Sequence, residues 1–290
     1  MSLLLRPAVA GDVITLEEIV LAADAPPATT AVEIRTDLTG VHVPYLTHLI
    51  GRGRVVVAER AGVAVGFGAA VDTGRARHLA DLFVVPEHQG SGIGRQLLDA
   101  VYGDAWPRTT FASDDPRALP LYLRAGMAAL WPNLYLAGDP RRLPPDPDDL
   151  TADIATVATV ASRQAEWLGV DRTPDLAYWA SRDVRPVVVR RGGRVVGAGI
   201  GRARSTGPGR WIHTAASAPG EDGPAVLLAV MRAALSWDRV TAAGGCVPGP
   251  SPLVQRLLGA GFRIADRDTF LASDPSIVDP LREIVDTGVL

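Results

Sequence analysis

Lysine is absent from this chain of 290 residues, and all 29 of its basic residues are arginine. The absence excludes lysine as a catalytic base, and together with abundant alanine, glycine, valine and proline it is typical of a GC-rich bacterial genome. Cysteine occurs once, at Cys246, so no disulfide can form within the chain, as expected in a reducing cytoplasm. A lone cysteine beside a Pro- and Gly-rich loop is more often a buried thiol than a nucleophile.

Long apolar runs and an excess of basic charge are missing too. No stretch approaches the roughly 20 apolar residues that span a bilayer, and the N-terminus lacks the pattern of a signal peptide. The formal net charge is −3, so nucleic acid is not an expected partner. A hydrophobic content of 47% is ordinary for a globular protein. We expect a cytoplasmic protein with no membrane partner, and the sequence leaves monomer and homodimer open.

The segment 78–98 reads as an apolar strand, a glycine-rich loop and a helix. Its loop, Gln89-x-x-Gly92-x-Gly94, brings several backbone N–H groups to a helix N-terminus, where unpaired donors and the helix dipole favour an anion such as pyrophosphate. The Rossmann pattern G-x-G-x-x-G and the P-loop pattern G-x-x-x-x-G-K-[ST] are both absent. A strand-to-helix turn without a ligand remains the alternative.

Hydrophobic periodicity and turn residues predict an α/β fold for the first half, in the order β-α-α-β-β-β-α-β-α-β. The predicted strands are 3–7, 54–59, 63–68, 78–85, 109–112 and 134–136, and the predicted helices start at 13, 32, 92 and 116. Breaks are expected near Gly40 and Pro44. Asp115 is predicted to cap the last helix, Pro120 to distort it, and Gly126 to end it.

The loop motif, the Val-x-Pro before it and the element order resemble motif A and the topology of the GNAT acetyltransferase superfamily. The second half repeats the first weakly: 187–199 echoes the hairpin at 56–68, and 257–262 echoes 122–127. Helices are predicted at 151–168, 174–181 and 224–236, and residues 270–272 form the last strand of the repeat. The predicted architecture is two tandem GNAT folds, each a central, mostly antiparallel sheet flanked by helices. Residues 1–138 form the domain with the acyl-CoA site, 139–149 a linker, and 150–290 a degenerate GNAT-like domain.

The two copies differ where the cofactor is expected. The counterpart of the 89–94 loop is 217–224, in which Glu221 and Asp222 are acidic and Pro219 and Pro224 lack an N–H. Leu257 stands at the position of Tyr122. The C-terminal copy is therefore not expected to bind coenzyme A as the family does.

The resemblance implies roles for residues of the N-terminal copy. Tyr122, four residues before Gly126, takes the place of the tyrosine that protonates the departing thiolate, with a core tyrosine as the alternative. Asp81 is the best candidate for the general base, although it could instead pair with an arginine. Asp115 stands where the family often has an asparagine. The residues implied in cofactor binding are Phe83, Val84, Val85, Gln89, Gly90, Ser91, Gly92, Ile93, Gly94, Arg95 and Asp115.

Other polar residues are weaker candidates. His78 and His88 are less suited as bases, and His88 is expected to be exposed in a turn. Glu33, Asp37 and Asp72 are acids suited to a cationic acceptor, but nothing in the sequence places them together.

The implied activity is an acyl-CoA-dependent N-acyltransferase, with acetyl-CoA as cosubstrate, a small-molecule amine as acceptor and no metal. A non-catalytic coenzyme A-binding or regulatory module is the main alternative. Transfer to an oxygen or sulfur acceptor, or to a protein N-terminus, is a third and weaker one. Tandem GNAT proteins of bacteria include mycothiol synthase, a family whose active site lies in its C-terminal half, so the intact motif in the N-terminal half here argues against mycothiol synthesis.

Overall fold

The computed structural model of the protein describes residues 2–23, 40–204, 209–236 and 240–288. The start of the helix predicted from 32, and the acids Glu33 and Asp37, lie outside the described residues. Within the described ranges, no helix is long and apolar enough to cross a bilayer.

Thirteen strands and eight α-helices form in the described part of the chain. The strands are β1 (Leu3–Pro7), β2 (Arg54–Arg60), β3 (Val63–Asp72), β4 (Arg77–Val84), β5 (Arg108–Ala112), β6 (Ala128–Gly138), β7 (Leu150–Ile154), β8 (Val184–Arg191), β9 (Arg194–Ala203), β10 (Arg210–Ser217), β11 (Ala243–Pro248), β12 (Arg263–Ala272) and β13 (Glu283–Ile284). The helices are α1 (Val13–Ala23), α2 (Val43–Arg52), α3 (Ile93–Tyr102), α4 (Ala118–Arg124), α5 (Val157–Leu168), α6 (Leu176–Ala180), α7 (Gly223–Leu235) and α8 (Leu253–Gly259).

The chain divides into two compact units. The first comprises residues 1–72 and 76–108, and the second comprises 73–75 and 109–290. These units follow packing, whereas the domains predicted at 1–138 and 150–290 follow the sequence repeat. The domain boundaries therefore remain a prediction.

The first unit contains four antiparallel strands in the order β1-β2-β3-β4. The predicted hairpin between β2 and β3 is present. Its turn residues Ala61 and Gly62 both have positive φ, 55° and 78°, which suits the twist of the flanking strands. Helix α3 packs on this sheet through buried apolar side chains, among them Leu97 and Val101. A Cβ on Gly68 would meet both of these side chains at 3.2–3.6 Å, so this glycine of β3 lets the helix approach closely.

The second unit contains eight strands in the order β5-β12-β6-β11-β10-β9-β8-β7, with β13 paired to β10. All of these pairs are antiparallel except β10–β11, which is parallel.

The two sequence copies exchange their last strands within this unit. The prediction that the strand around 134–136 closes the first copy was wrong, because this strand is part of β6, which lies between β11 and β12. The place beside β5 is taken by β12, near the end of the second copy. Both strands are longer than predicted, because β12 pairs with β6 from Arg263 to Ala272.

Two predicted helices begin later than expected. The helix predicted from 151 begins at Val157, because residues 150–154 pair with β8 as β7. Thr156 then caps the helix, accepting a hydrogen bond from the N–H of Thr159. The helix predicted from 116 begins at Ala118. Pro120 is its third residue, where the backbone nitrogen needs no partner within the helix, so the expected distortion does not arise.

Glycines on β9 let helix α7 pack directly against this strand. A Cβ on Gly201 would lie 2.2 Å from the carbonyl oxygen of Ala234, and a Cβ on Gly197 would lie 2.5 Å from Val226. The strand and the helix therefore meet backbone to backbone, with large apolar side chains of α7 filling the space around the glycines.

We expect Gly201→Ala to lower the free energy of unfolding by about 1–3 kcal/mol, because α7 must move to admit the methyl group. Gly259→Ala is the matched control in the same unit: it lies in a helix and its Cβ would meet nothing within 4 Å. This control is expected to leave stability unchanged or to raise it by up to about 1 kcal/mol. Urea unfolding followed by circular dichroism measures both, and equal effects would contradict the packing described.

Candidate functional site

The glycine-rich loop takes the conformation that its sequence requires. Gly90 and Gly92 have φ of 73° and 83°, in the left-handed region that other residues rarely adopt. A Cβ on either would meet nothing within 4 Å, so the glycines serve backbone conformation and not close packing. Gly92 is the residue that precedes α3, and the predicted helix at 92–102 is confirmed as Ile93–Tyr102.

The loop leaves a row of backbone donors open. The first helical hydrogen bond runs from the N–H of Gln96 to the carbonyl of Gly92. Among the described residues, none accepts a hydrogen bond from the backbone N–H groups of residues 90–95. These donors and the positive end of the α3 dipole lie at the same place and favour an anion.

The side chains of Gln89 and Ser91 bond to backbone carbonyls and not to the open N–H groups of the loop. Gln89 Nε2 donates to the carbonyl of Val84 at 2.9 Å, and Ser91 Oγ donates to the carbonyl of His88 at 2.5 Å. Arg95 is exposed, with its Nε 3.8 Å from a carboxylate oxygen of Asp99. The amide of Gln89 thus ties the loop to the end of β4, and the Arg95 guanidinium stands in solvent.

Strand β4 is irregular just before the loop. Its pairing with β3 shifts between Leu79 and Asp81, which makes Ala80 an extra residue, a β-bulge. Asp81 follows the bulge and is half-buried, as are Phe83 to Val85. His78 is fully buried, and His88 is half-buried where the sequence predicted an exposed side chain. Asp72, at the far end of β3, is bound by the guanidinium of Arg77 at 2.8 and 2.9 Å, which lowers the pKa of its carboxyl.

Tyr122 belongs to the second unit and is 7% exposed. The end of α4 fixes its position: the N–H of Met127 donates to the carbonyl of Tyr122 at 3.3 Å, and the N–H of Gly126 to that of Leu123 at 3.1 Å. With Gly126 at φ 85°, this pair of bonds is a Schellman motif, so the predicted terminal glycine is confirmed.

Asp115 is not the cap of α4, which corrects the prediction. Its carboxylate accepts from the backbone N–H of Arg117 at 2.8 Å and from the guanidinium of the same residue at 2.7 and 2.9 Å. The bonds from Arg117 lower the pKa of this carboxyl. Because the carboxylate is used in this turn, the helix starts after Arg117.

The counterpart loop in the second copy has a backbone donor occupied by its own side chain. Asp222 precedes α7 and accepts a hydrogen bond from the N–H of Ala225 at 3.1 Å, so a carboxylate of the chain itself takes the anion position. Glu221 turns to the guanidinium groups of Arg191 and Arg194. A Cβ on Gly223, the first residue of α7, would lie 2.2 Å from the carbonyl oxygen of Leu281. The C-terminal segment therefore covers this helix start.

The same segment occupies the space between β10 and β11. These parallel strands pair only over residues 210–212 and 243–245. Further along, Ala215 and Ala216 of β10 pair with Ile284 and Glu283 of β13. Glu283 is 2% exposed and is held by Arg75 in a two-bond ion pair of 2.6 and 3.1 Å.

The loop of the first copy fits the diphosphate of an acyl-CoA in chemistry. It offers open backbone donors at a helix start, no acidic side chain and a glycine backbone without Cβ atoms in the way. In the described residues no group of three or more His, Cys, Asp or Glu is placed to hold a metal ion.

Comparisons with known proteins agree with this geometry. Residues 51–126 match the acetyltransferase (GNAT) domain family, whose members use acyl-CoA. The matched segment, residues 51–126, is therefore similar to a GNAT domain. No curated protein matches the sequence.

Solved structures support the tandem GNAT fold over the whole chain. A protein from Pyrococcus horikoshii, provisionally assigned as an acetyltransferase, aligns with a TM-score of 0.68 and 13% identity over 99% of this chain and 95% of its own. A tandem GNAT protein from the clavulanic acid biosynthesis pathway aligns at 0.59 with 16% identity over 95% and 100%. A GCN5-related N-acetyltransferase from Sphaerobacter thermophilus aligns at 0.55 with 15% identity over 99% and 98%. The predicted fold class is thus confirmed.

The open donors make a direct prediction for coenzyme A. Ser91→Glu would place a carboxylate at the loop, as Glu221 and Asp222 do in the second copy, and is expected to weaken coenzyme A binding about tenfold or more through charge repulsion. Ser91→Gln has nearly the same shape without the charge and is the control. Isothermal calorimetry measures both, and equal affinities would show that the loop does not hold the phosphates.

Proposed function

We propose that the protein is an acyl-CoA-dependent N-acyltransferase that transfers an acetyl group from acetyl-CoA to the amine of a small molecule, by direct attack in a ternary complex. The observation that carries the proposal is the row of open N–H groups from residue 90 to residue 95 at the start of α3. The closed counterpart at Asp222 strengthens it, because one chain holds both versions of the same loop.

The cosubstrate would be held mainly by backbone groups. The N–H groups of Gly90 to Arg95 would bind the pyrophosphate, and the backbone of Phe83 to Val85, beyond the bulge in β4, would pair with the pantetheine arm. This use of the backbone explains why the side chains of Phe83 to Val85 can be merely apolar. When bound, acetyl-CoA supplies the activated acyl group as a thioester.

Two side chains have the proposed chemical roles. The Tyr122 hydroxyl would give a proton to the sulfur that leaves, since a phenol near a developing thiolate can act as general acid. Asp81, half-buried beside the β4 bulge, would take a proton from the substrate ammonium, directly or through a water, so that the free amine can attack. Both roles follow from the positions of these residues relative to the GNAT motif.

The C-terminal copy would not bind coenzyme A. Asp222 occupies its helix start, and β13 pairs with β10 along the edge where the pantetheine would otherwise lie. The buried Arg75–Glu283 ion pair opposes removal of β13, because separating a buried pair leaves an uncompensated charge.

A non-catalytic coenzyme A-binding or regulatory protein is the second candidate. The observation that favours it is Asp115, whose carboxylate is engaged by Arg117 and offers no amide to a cofactor. Binding without turnover, unchanged by substitution of Tyr122, would support this candidate.

Acetyl-CoA incubated with a panel of amines tests the two candidates, with released thiol as the readout. The panel includes small amines and peptides with a free N-terminus, so that a protein N-acetyltransferase would be recognised by its preference for peptides. Thiol release that depends on an amine supports the proposal. Coenzyme A binding with no release from any amine would contradict it.

Tyr122→Phe is expected to lower kcat by about 10²-fold or more, because the general acid is lost while the ring is kept. Coenzyme A affinity should stay unchanged. The control is Tyr102→Phe, also a buried tyrosine on a helix, which is expected to keep kcat within about twofold. Steady-state kinetics with an amine that the enzyme acetylates measure kcat of both variants. An equal loss of kcat in both would contradict the role of Tyr122 as general acid.

A further inference from the structure

A cavity of about 220 Å³ lies in the second unit, at a second β-bulge. It is lined by Tyr135, Arg202, Arg204, Trp211, Ile212, His213, Cys246, Val285, Asp286 and Thr287. The pairing of β10 with β9 shifts between Ile212 and Thr214, so His213 is the extra residue of the bulge. The cavity is smaller than the roughly 300–1,000 Å³ of drug-sized sites, so it suits a small molecule.

His213 brings a polar group to this cavity. It is 6% exposed, and its Nδ1 lies 2.7 Å from a carboxylate oxygen of Asp286. Its Nε2 is buried and has no hydrogen-bond partner among the described residues. The Asp286 carboxylate faces Nδ1, so Nε2 is the ring nitrogen left for a ligand. An imidazolium donates from both of its nitrogens and can therefore bind an anion through Nε2.

The charges around the cavity are mainly positive. Burial alone would raise the pKa of Asp286, but His213 and Arg202 together hold it below its usual value, so Asp286 is ionised and its charge is already engaged. Arg202 and Arg204 also line the cavity, so its lining holds two guanidinium groups and one carboxylate, that of Asp286. Asp268 accepts a hydrogen bond from Tyr135 Oη at 2.5 Å, so this carboxylate is already engaged, and burial raises the pKa of the carboxyl.

The walls of the cavity are flat and apolar. The Tyr135 and Trp211 rings lie 6.2 Å apart, and the Arg204 guanidinium is 5.8 Å from the centre of the Trp211 ring. Ile212 and Val285 add aliphatic surface. Burial raises the pKa of the Cys246 thiol, so this residue reacts slowly and forms part of the wall.

We infer that this cavity is a binding site for a small organic anion, of the class of aromatic carboxylates. The ring of such a ligand would lie against Trp211 and Tyr135, and its carboxylate would meet Arg202, Arg204 and His213 Nε2. The inference does not depend on the proposed acyltransferase activity. The sequence analysis did not single out these residues; the one available signal was a histidine inside the apolar segment 211–216.

Cys246 supplies a local reporter, because it is the only cysteine of the chain and lines the cavity. The rate of its modification by methyl methanethiosulfonate, followed by mass spectrometry, is expected to fall several-fold in millimolar benzoate. Benzamide, which has the same ring without the charge, should leave the rate unchanged. Equal protection by both compounds, or protection by neither, would overturn the proposal.

Variants connect the binding to the named side chains. Calorimetry should show the Kd for benzoate raised about tenfold or more in Arg202→Gln and in His213→Gln. Arg163→Gln, an exposed arginine of α5, is the control and should bind as the unchanged protein does. If the buried variants unfold, as judged by circular dichroism, Arg204→Gln at the exposed rim gives the same test. Full benzoate affinity in the folded variants would refute the site.

Discussion

Every α-helix begins with N–H groups that have no partner inside the helix, and this protein resolves that constraint in two opposite ways. At α3 the left-handed glycines Gly90 and Gly92 keep the chain narrow and leave the donors open. At α7 the carboxylate of Asp222 takes a donor, and the C-terminal segment lies over the first residue. The same strand-loop-helix arrangement thus leaves its donors open in one copy and has a capped helix start in the other.

The closed copy depends on a strand from the end of the chain. Parallel strands β10 and β11 separate after three paired residues, which leaves backbone donors and acceptors of β10 without a neighbour. Strand β13 satisfies them, and Glu283 anchors this strand through Arg75. The tail continues to Asp286, whose contact with His213 helps to form the cavity at the bulge. The C-terminal segment therefore closes the counterpart of the coenzyme A loop and also forms part of the cavity at His213.

Local features of the fold were predictable from the sequence, because short-range chemistry determines them. The hairpin turn at Ala61-Gly62, the start of α3 and the glycine at the end of α4 each follow from residues within a few positions. The prediction for Asp115 was wrong because a carboxylate can either cap a helix or bind a guanidinium two residues later. Here the Arg117 guanidinium binds the Asp115 carboxylate. Residues 150–154 were predicted as the start of a helix. They form a strand instead, because they pair with β8, a contact that the local sequence does not reveal.

Long-range pairings were not predictable from one sequence. The exchange of β6 and β12 joins segments more than 100 residues apart, and hydrophobic alternation does not say which neighbour a strand chooses. Arg75 and Glu283 are separated by 208 positions. The loop of the candidate coenzyme A site was found because its residues are contiguous, whereas Arg202, His213 and Asp286 meet only in the folded chain.

The central claim is that one chain holds one working copy and one closed copy of the same coenzyme A site. The stoichiometry of coenzyme A binding to the unaltered protein, measured by isothermal calorimetry, tests it most directly. The account predicts one molecule of coenzyme A bound per chain. Two molecules per chain would show that the C-terminal copy is open after all, and no binding would show that the glycine loop at α3 is only a turn.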